Sequence, residues 1–358
     1  MTGKEYKYLK ARSQAGPVLQ KNPVRLNLNE SSLDLPLSLK NKIWRRLKNL
    51  SWNRYPEEEN QELLTALANY CHQPAENILP GNGSNELIEA LIKSIAPDGL
   101  IIIFRPSFSI YSRQLRVTGK NFVEIKLDLD KGYAAGTWLD EKIPSADLIF
   151  IDCPNNPVGC VISSELLKEI LNRAKGLVVV DEAYAEFSEF SYISWVQQYD
   201  NLAVLRTLSK AFRLAGARFG YLISAKSNID RIKKARLPFS VGIFPQAAAL
   251  VAINEREFIL KQVKKIKKER ERVFNCLSKL SQFKPLPSRA NFLLVQSKRL
   301  SAREVSSKLQ AMGVLVRIFD LPELKNYFRV TIGSRPENDI FLESIYSLER
   351  ESQNATRG

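Results

Sequence analysis

Short apolar runs alternate with helically spaced apolar positions through the middle of the chain. LIIIF (100–104), DLIFID (147–152), GLVVVD (176–181), NLAVLR (201–206) and FGYLIS (219–224) are apolar without a polar alternate, as in strands covered on both faces. Between them, NELIEALIKSIA (85–96) and SELLKEILNRAK (164–175) repeat apolar residues three and four apart, which is the helical period. Strands alternating with helices predict an α/β fold, a mostly parallel sheet flanked by helices. From about Pro245 a long helical stretch leaves that layer, and a smaller C-terminal α/β domain follows. It comprises ANFLLVQ, a helix opened by a capping box between Ser301 and Glu304, VLVRI, YFRVTIG and a last helix. The predicted division is an N-terminal arm over 1–45 that contributes to the small domain, a large domain over 46–245, and the small domain over 246–358.

A length of 358 residues, with 44% hydrophobic and 25% charged positions, suits two domains of an ordinary globular protein. No apolar run approaches the roughly 20 residues that span a bilayer, and the basic, polar N-terminus does not resemble a signal peptide. A cytoplasmic location and no membrane partner are expected. The formal charge of +15 raises nucleic-acid binding as a candidate. Its one dense run, KQVKKIKKERERVF (261–274), alternates charge with apolar residues at helical spacing and reads as the solvated face of a long helix. No nucleic-acid partner is therefore expected, whereas a positive field attracts small anionic substrates. Cys71, Cys153, Cys160 and Cys276 form no CxxC pair and His72 is the single histidine, so no metal site is expected and the thiols read as reduced.

Four segments carry chemistry, each where a strand ends or a helix begins, the place where open α/β sheets hold ligands. In VLRTLSKAFRLAGARFGY, a lysine in a largely buried site, Lys210, can lose its proton near neutrality and condense with an aldehyde. Ser209 and Arg218 beside it suit a phosphate dianion. In GLVVVDEAYAEF, Asp181 ends a very apolar strand and needs a positive partner such as a protonated pyridine nitrogen, while Tyr184 could donate to a phenolate oxygen. IDCPNNPVG is a rigid turn presenting the Asn156 amide to the same oxygen. In LPGNGSNELIEAL, the backbone of Gly83, Ser84 and Asn85 at a helix N-terminus forms an anion site. Phe108, in RPSFSIY, could stack on a pyridine ring. Each segment taken alone also has a plain structural reading as a loop, a cap or a turn.

Together and in this order, the four segments resemble the class I/II (fold-type-I) aminotransferases over residues 25–345, with LNLNE (26–30), RYP (54–56) and FRVTIGS (328–334) extending the match. The resemblance implies the aspartate-aminotransferase fold, pyridoxal 5'-phosphate as cofactor and a homodimer. It implies Lys210 as the Schiff-base lysine, Asp181 as pyridinium partner, Asn156 and Tyr184 on the ring oxygen, and Phe108 on the ring face. Ser84, Asn85, Ser209 and Arg218 would hold the cofactor phosphate, Asn29 and Arg329 would bind substrate, and Tyr55 would cross to the partner site. RYPEE, GNGSNELI, DEAYAEF, LRTLSKAF and RVTIGSRPEN are most similar to histidinol-phosphate aminotransferases, which exchange an amino group between glutamate/2-oxoglutarate and a phosphorylated amino compound. On that reading Arg317, on the strand before Arg329, adds charge for the phosphate. LPFSVG (237–242) and PELKNYFRV (322–330) are also similar to threonine-phosphate decarboxylases. Val158, Arg213 and Ala217 depart from the aminotransferase pattern.

Overall fold

The computed structural model describes residues 23–94 and 99–354, with side chains described as far as 351. Residues 1–22 of the predicted arm and the last two positions of the 85–96 helix lie outside the described residues. The strands are β1 (Val24–Arg25), β2 (Ile78–Gly81), β3 (Ile101–Arg105), β4 (Phe122–Lys126), β5 (Leu148–Asp152), β6 (Leu177–Asp181), β7 (Leu202–Thr207), β8 (Gly220–Ser224), β9 (Phe283–Pro285), β10 (Phe292–Ser297), β11 (Val314–Leu315) and β12 (Tyr327–Thr331).

A seven-stranded sheet runs in the order β2-β8-β7-β6-β5-β3-β4. The pairs from β4 through β7 are parallel, and β8 is antiparallel to both of its neighbours. Its central strands are buried along nearly their whole length, which is why they read as unbroken apolar runs. Helix Ser164–Arg173 shows the local logic. Ser163 caps it by accepting from the Leu166 amide, and Leu166, Leu167, Ile170 and Leu171 form its buried stripe.

The long helical stretch resolves into Ile243–Asn254 and Arg256–Ser278. The second helix passes from one core to another. Ile259 and Val263 join the core around the large sheet, whereas Val273 and Leu277 pack with Leu26, Phe328 and Phe341. Its charged run is not wholly solvated, because Arg270 is buried and donates to the carbonyls of Phe187 (3.2 Å) and Ala290 (2.8 Å). Beyond it, β10 pairs antiparallel with β9 and β12, and the Ser301–Glu304 capping box is formed. VLVRI is shorter as a strand than its pattern predicts. Only Val314 and Leu315 pair, in parallel with β1, and Arg317 touches β12 through an isolated bridge to Arg329.

Candidate active site

β5 and β6 end level with one another, with Asp152 and Asp181 as register partners at their C-terminal ends. Asp181 is buried, accepting from the Tyr111 hydroxyl at 2.7 Å and the Ala183 amide at 3.0 Å. Burial nevertheless pushes its carboxyl up to about 6, because these two donors only partly replace water. Tyr111 was not legible as a site residue. It lies on the buried side of helix Ile110–Val117 and stacks on Phe150 (4.8 Å between centroids), as an ordinary core aromatic does. Phe108 is half-buried and meets Tyr111 edge to face at 5.7 Å.

Lys210 follows β7 and is half-buried, and its Nζ donates to the Leu28 carbonyl at 3.1 Å. Burial first, then the positive charge of Arg329, lowers its ammonium to about 8. The amine is therefore available within reach of neutral pH, as its predicted chemistry requires. Its Nζ lies 5.8 Å from the centroid of the Tyr184 ring. The Tyr184 hydroxyl accepts from Asn29 Nδ2 at 2.9 Å. Asn29 is itself fixed in a left-handed conformation (φ 54), where its amide donates to Thr331 Oγ1 at 2.9 Å and its Oδ1 accepts from the Thr331 hydroxyl at 3.1 Å. Asn29 thus orients Tyr184, a contact that the sequence pattern did not reveal.

Next to Lys210, the Ser209 hydroxyl accepts from Thr207 Oγ1 at 3.0 Å and from Arg218 Nη1 at 3.4 Å. Gly83, at φ +74, precedes Ser84, the first residue of helix Ser84–Ser94, and Asn85 sits half-buried in its first turn. A Cβ on Gly83 would lie 2.6 Å from Arg218 Nη2, and one on Gly220 would lie 2.5 Å from the Ser84 amide. Glycine keeps open a cradle lined by a helix N-terminus, a hydroxyl and a guanidinium, the donor set of a phosphate site.

At the far end of the site, Arg329 is buried. Its Nη1 donates to Asn156 Oδ1 and its Nη2 to the Asn27 carbonyl at 2.9 Å, while Nε has no hydrogen-bond partner among the described residues. Burial lowers its guanidinium to about 10, with nearby Arg317 adding repulsion. Both guanidiniums lie over Phe319, Arg329 at 5.7 Å and exposed Arg317 at 6.0 Å from the ring centroid. Among the described residues, neither arginine pairs with a carboxylate within 4.0 Å. Tyr55 stands apart. It is 83% exposed, stacks on Phe239 at 4.8 Å, and borders a cavity of about 540 Å³ that contains no other cofactor candidate.

These groups fit a phosphorylated aromatic aldehyde. Among the described residues no cation is hydrogen-bonded to the buried Asp181 carboxylate, the glycine cradle matches a phosphate, and Lys210 holds a readily deprotonated amine.

Known proteins agree with this reading. The family model for aminotransferase class I and II matches residues 21–345. A histidinol-phosphate aminotransferase of Thermococcus gammatolerans is 38% identical over 325 residues, covering 91% of this chain and 92% of its own. The crystal structure of the histidinol-phosphate aminotransferase from Clostridium acetobutylicum superposes with a TM-score of 0.84 at 27% identity, covering 91% of this chain and 99% of that one. The L-threonine-O-3-phosphate decarboxylase from Porphyromonas gingivalis shares the fold, with a TM-score of 0.79 at 21% identity over 90% of this chain and 98% of that one. Matched by that family model over most of its length and by relatives of this identity, the chain belongs to the class I and II aminotransferases, enzymes that depend on pyridoxal phosphate.

Proposed function

We propose that the chain transfers an amino group between histidinol phosphate and 2-oxoglutarate, with glutamate as the other amino partner. The observation that carries the reading is the pair Arg329 and Arg317. Two guanidiniums over one aromatic ring, with no carboxylate to neutralise them, suit an anion with more charge than a carboxylate. Arg329 also has to receive the α-carboxylate of glutamate. Its buried Nε, still without a hydrogen-bond partner, is a donor that an entering anion would use.

Pyridoxal phosphate, when bound, supplies an aldehyde that takes up amino groups and a ring that stores the electron pair left when a Cα–H bond breaks. The chain's residues do the rest. Ser84, Asn85, Ser209 and Arg218 hold the phosphate. Asp181 would hold a negative charge for the ring nitrogen, Tyr184 and Asn156 would donate to the ring oxygen, and Phe108 would cover a face. Lys210, deprotonated, would take the proton from the substrate Cα and, as the resulting acid, deliver it to the carbon that came from the cofactor's aldehyde, the proton shift that amino transfer requires. Asn29 contributes by fixing the Tyr184 hydroxyl.

The assembly proposed is a homodimer in which Tyr55 reaches the partner's cofactor phosphate. Tyr55 is exposed beside further exposed aromatics, Trp44, Trp52, Phe239 and Phe244, a patch suited to burial against a second copy. The division at residues 45 and 245 belongs to the same proposal, with helix Arg256–Ser278 reaching both cores. No helix among the described residues is long and apolar enough to cross a membrane.

The substrate assignment is tested by separate incubations with histidinol phosphate and threonine phosphate, each with 2-oxoglutarate. Glutamate formation from histidinol phosphate without carbon dioxide is expected. Carbon dioxide release from threonine phosphate, with no amino transfer from histidinol phosphate, would overturn it.

A further inference from the structure

Asp152 is buried at the end of β5, level with Asp181 and with no salt-bridge partner among the described residues. Its Oδ2 accepts two backbone amides, from Asn156 at 2.8 Å and from Phe108 at 3.3 Å. Its Oδ1 accepts from the Tyr133 hydroxyl at 3.0 Å and from Asn155 Nδ2 at 2.9 Å. The same Asn155 Nδ2 also reaches the Pro106 carbonyl at 3.1 Å. Two segments far apart in sequence, the loop after β3 and the turn after β5, therefore meet on one carboxylate. Those segments carry Phe108 and Asn156.

We propose that Asp152 is a positioning residue for the cofactor ring: it joins the backbone of Phe108 to that of Asn156, and so sets the aromatic face and the amide donor relative to each other. The proposal rests on the reading of Phe108 and Asn156 as ring contacts. A mere space-filler is a poor account of Asp152. A buried carboxylate beside a second one is costly, and a neutral side chain would fill the volume without that repulsion. An ionised carboxylate offers what a neutral residue does not, several strong acceptor positions on two oxygens. Burial, with Asp181 adding repulsion and the Asn156 amide and Tyr133 opposing, places its carboxyl at about 7. The Asn156 amide and the Tyr133 hydroxyl thus favour its ionised form against the pull of burial.

The test compares wild type, Asp152→Asn and Asp152→Ala. It measures pyridoxal phosphate affinity by titration of the apoprotein, the visible circular dichroism of the bound cofactor, and amide exchange in the apoprotein. Asp152→Ala is expected to weaken affinity about tenfold, as for loss of a charge-assisted hydrogen bond. It should also reduce the visible dichroism, since the ring is less fixed, and speed exchange at the amides of residues 107–109 and 155–156. Asp152→Asn keeps one carbonyl acceptor and should fall between wild type and Asp152→Ala. If Asp152→Ala does not fold, Asp152→Asn decides: faster exchange confined to the two segments, with weaker affinity, supports the role, and unchanged exchange and affinity overturn it. Phe108→Ala and Asn156→Ala separate the two layers of inference. If neither weakens cofactor binding, the ring-contact reading fails. If both do while Asp152→Ala leaves affinity and dichroism at wild-type values, the positioning role fails.

Discussion

The floor of the site and its anion-binding end are built on opposite terms. On the floor, Asp181 and Asp152 are surrounded by donors from their own chain, and Ser209 and Arg218 are linked to each other. At the other end, Arg329 Nε and the side-chain oxygen of Asn27, whose backbone carbonyl accepts from Arg329, are buried without a hydrogen-bond partner among the described residues. Unmet buried polar atoms are uncommon in folded chains, because each forfeits its hydration. On the proposed roles, the Nε of Arg329 is a donor that completes its bonding when substrate arrives, while the floor is organised ahead of its cofactor. The difference separates a resident group from a visiting one.

The largest expected effect strikes the floor. Lys210→Ala should lower turnover by about four orders of magnitude or more, since one amine serves as base, acid and covalent anchor. Borohydride should then no longer fix pyridoxal phosphate to the chain. Mixing this variant with Tyr55→Phe under conditions of subunit exchange should restore activity above both parents, because one site of each heterodimer then carries neither defect. Demonstrated heterodimers without regained activity would place Tyr55's role within its own chain.

Asp181→Asn sharpens the contrast, because it should trade function against stability. Loss of the negative charge opposite the ring should reduce turnover about 100-fold, for roughly 3 kcal/mol in the barrier. The apoprotein should respond in the opposite sense. A carboxyl raised from 3.8 to about 6 contributes stability below its ordinary value and loses it as pH rises through 6. The shift is worth about 3 kcal/mol. The Asn variant should therefore be the more stable apoprotein at pH 8, and the two should converge near pH 4, as read by denaturant melts. Equal apoprotein stability at pH 8 would show that Asp181 is not held under strain.

The smallest effects belong to the anion end, where bonds wait on ligand. Arg329→Ala should raise KM for both substrates about 30-fold, near 2 kcal/mol. Exposed Arg317→Ala should raise KM roughly fivefold, and for histidinol phosphate only, since screening weakens a surface charge. Equal loss for 2-oxoglutarate would remove its phosphate-specific role.

Much of this plan was legible because it is local. The buried runs of β5, β6 and β7 announce themselves, and glycine before a helix and lysine after a strand mark the cradle. β2 and β4 were missed because ILPG contains a proline and FVEIK mixes charge with apolar residues, so their membership is set by neighbours. Tyr111 and Asp152 were missed for a related reason. Each looks like core or turn until the residue 70 positions away that Tyr111 bonds, or the 44 positions away that Asp152 bonds, is in view. The VLVRI strand shortened because its partner, β1, offers only two residues.

That partnership bears on how the chain is made. Val24 and Arg25 pair with Val314 and Leu315, and the Leu26 carbonyl accepts from the Thr331 amide. At ordinary synthesis rates, the early segment leaves the ribosome roughly 15 to 60 s before its mate exists. Leu26, which ends in the same apolar cluster as Phe328 and Phe341, must wait in the open for that interval. The large sheet can assemble meanwhile from strands that follow one another. Closing the smaller sheet is therefore a late event, and nascent chains arrested before residue 314 should expose Leu26 to chaperones.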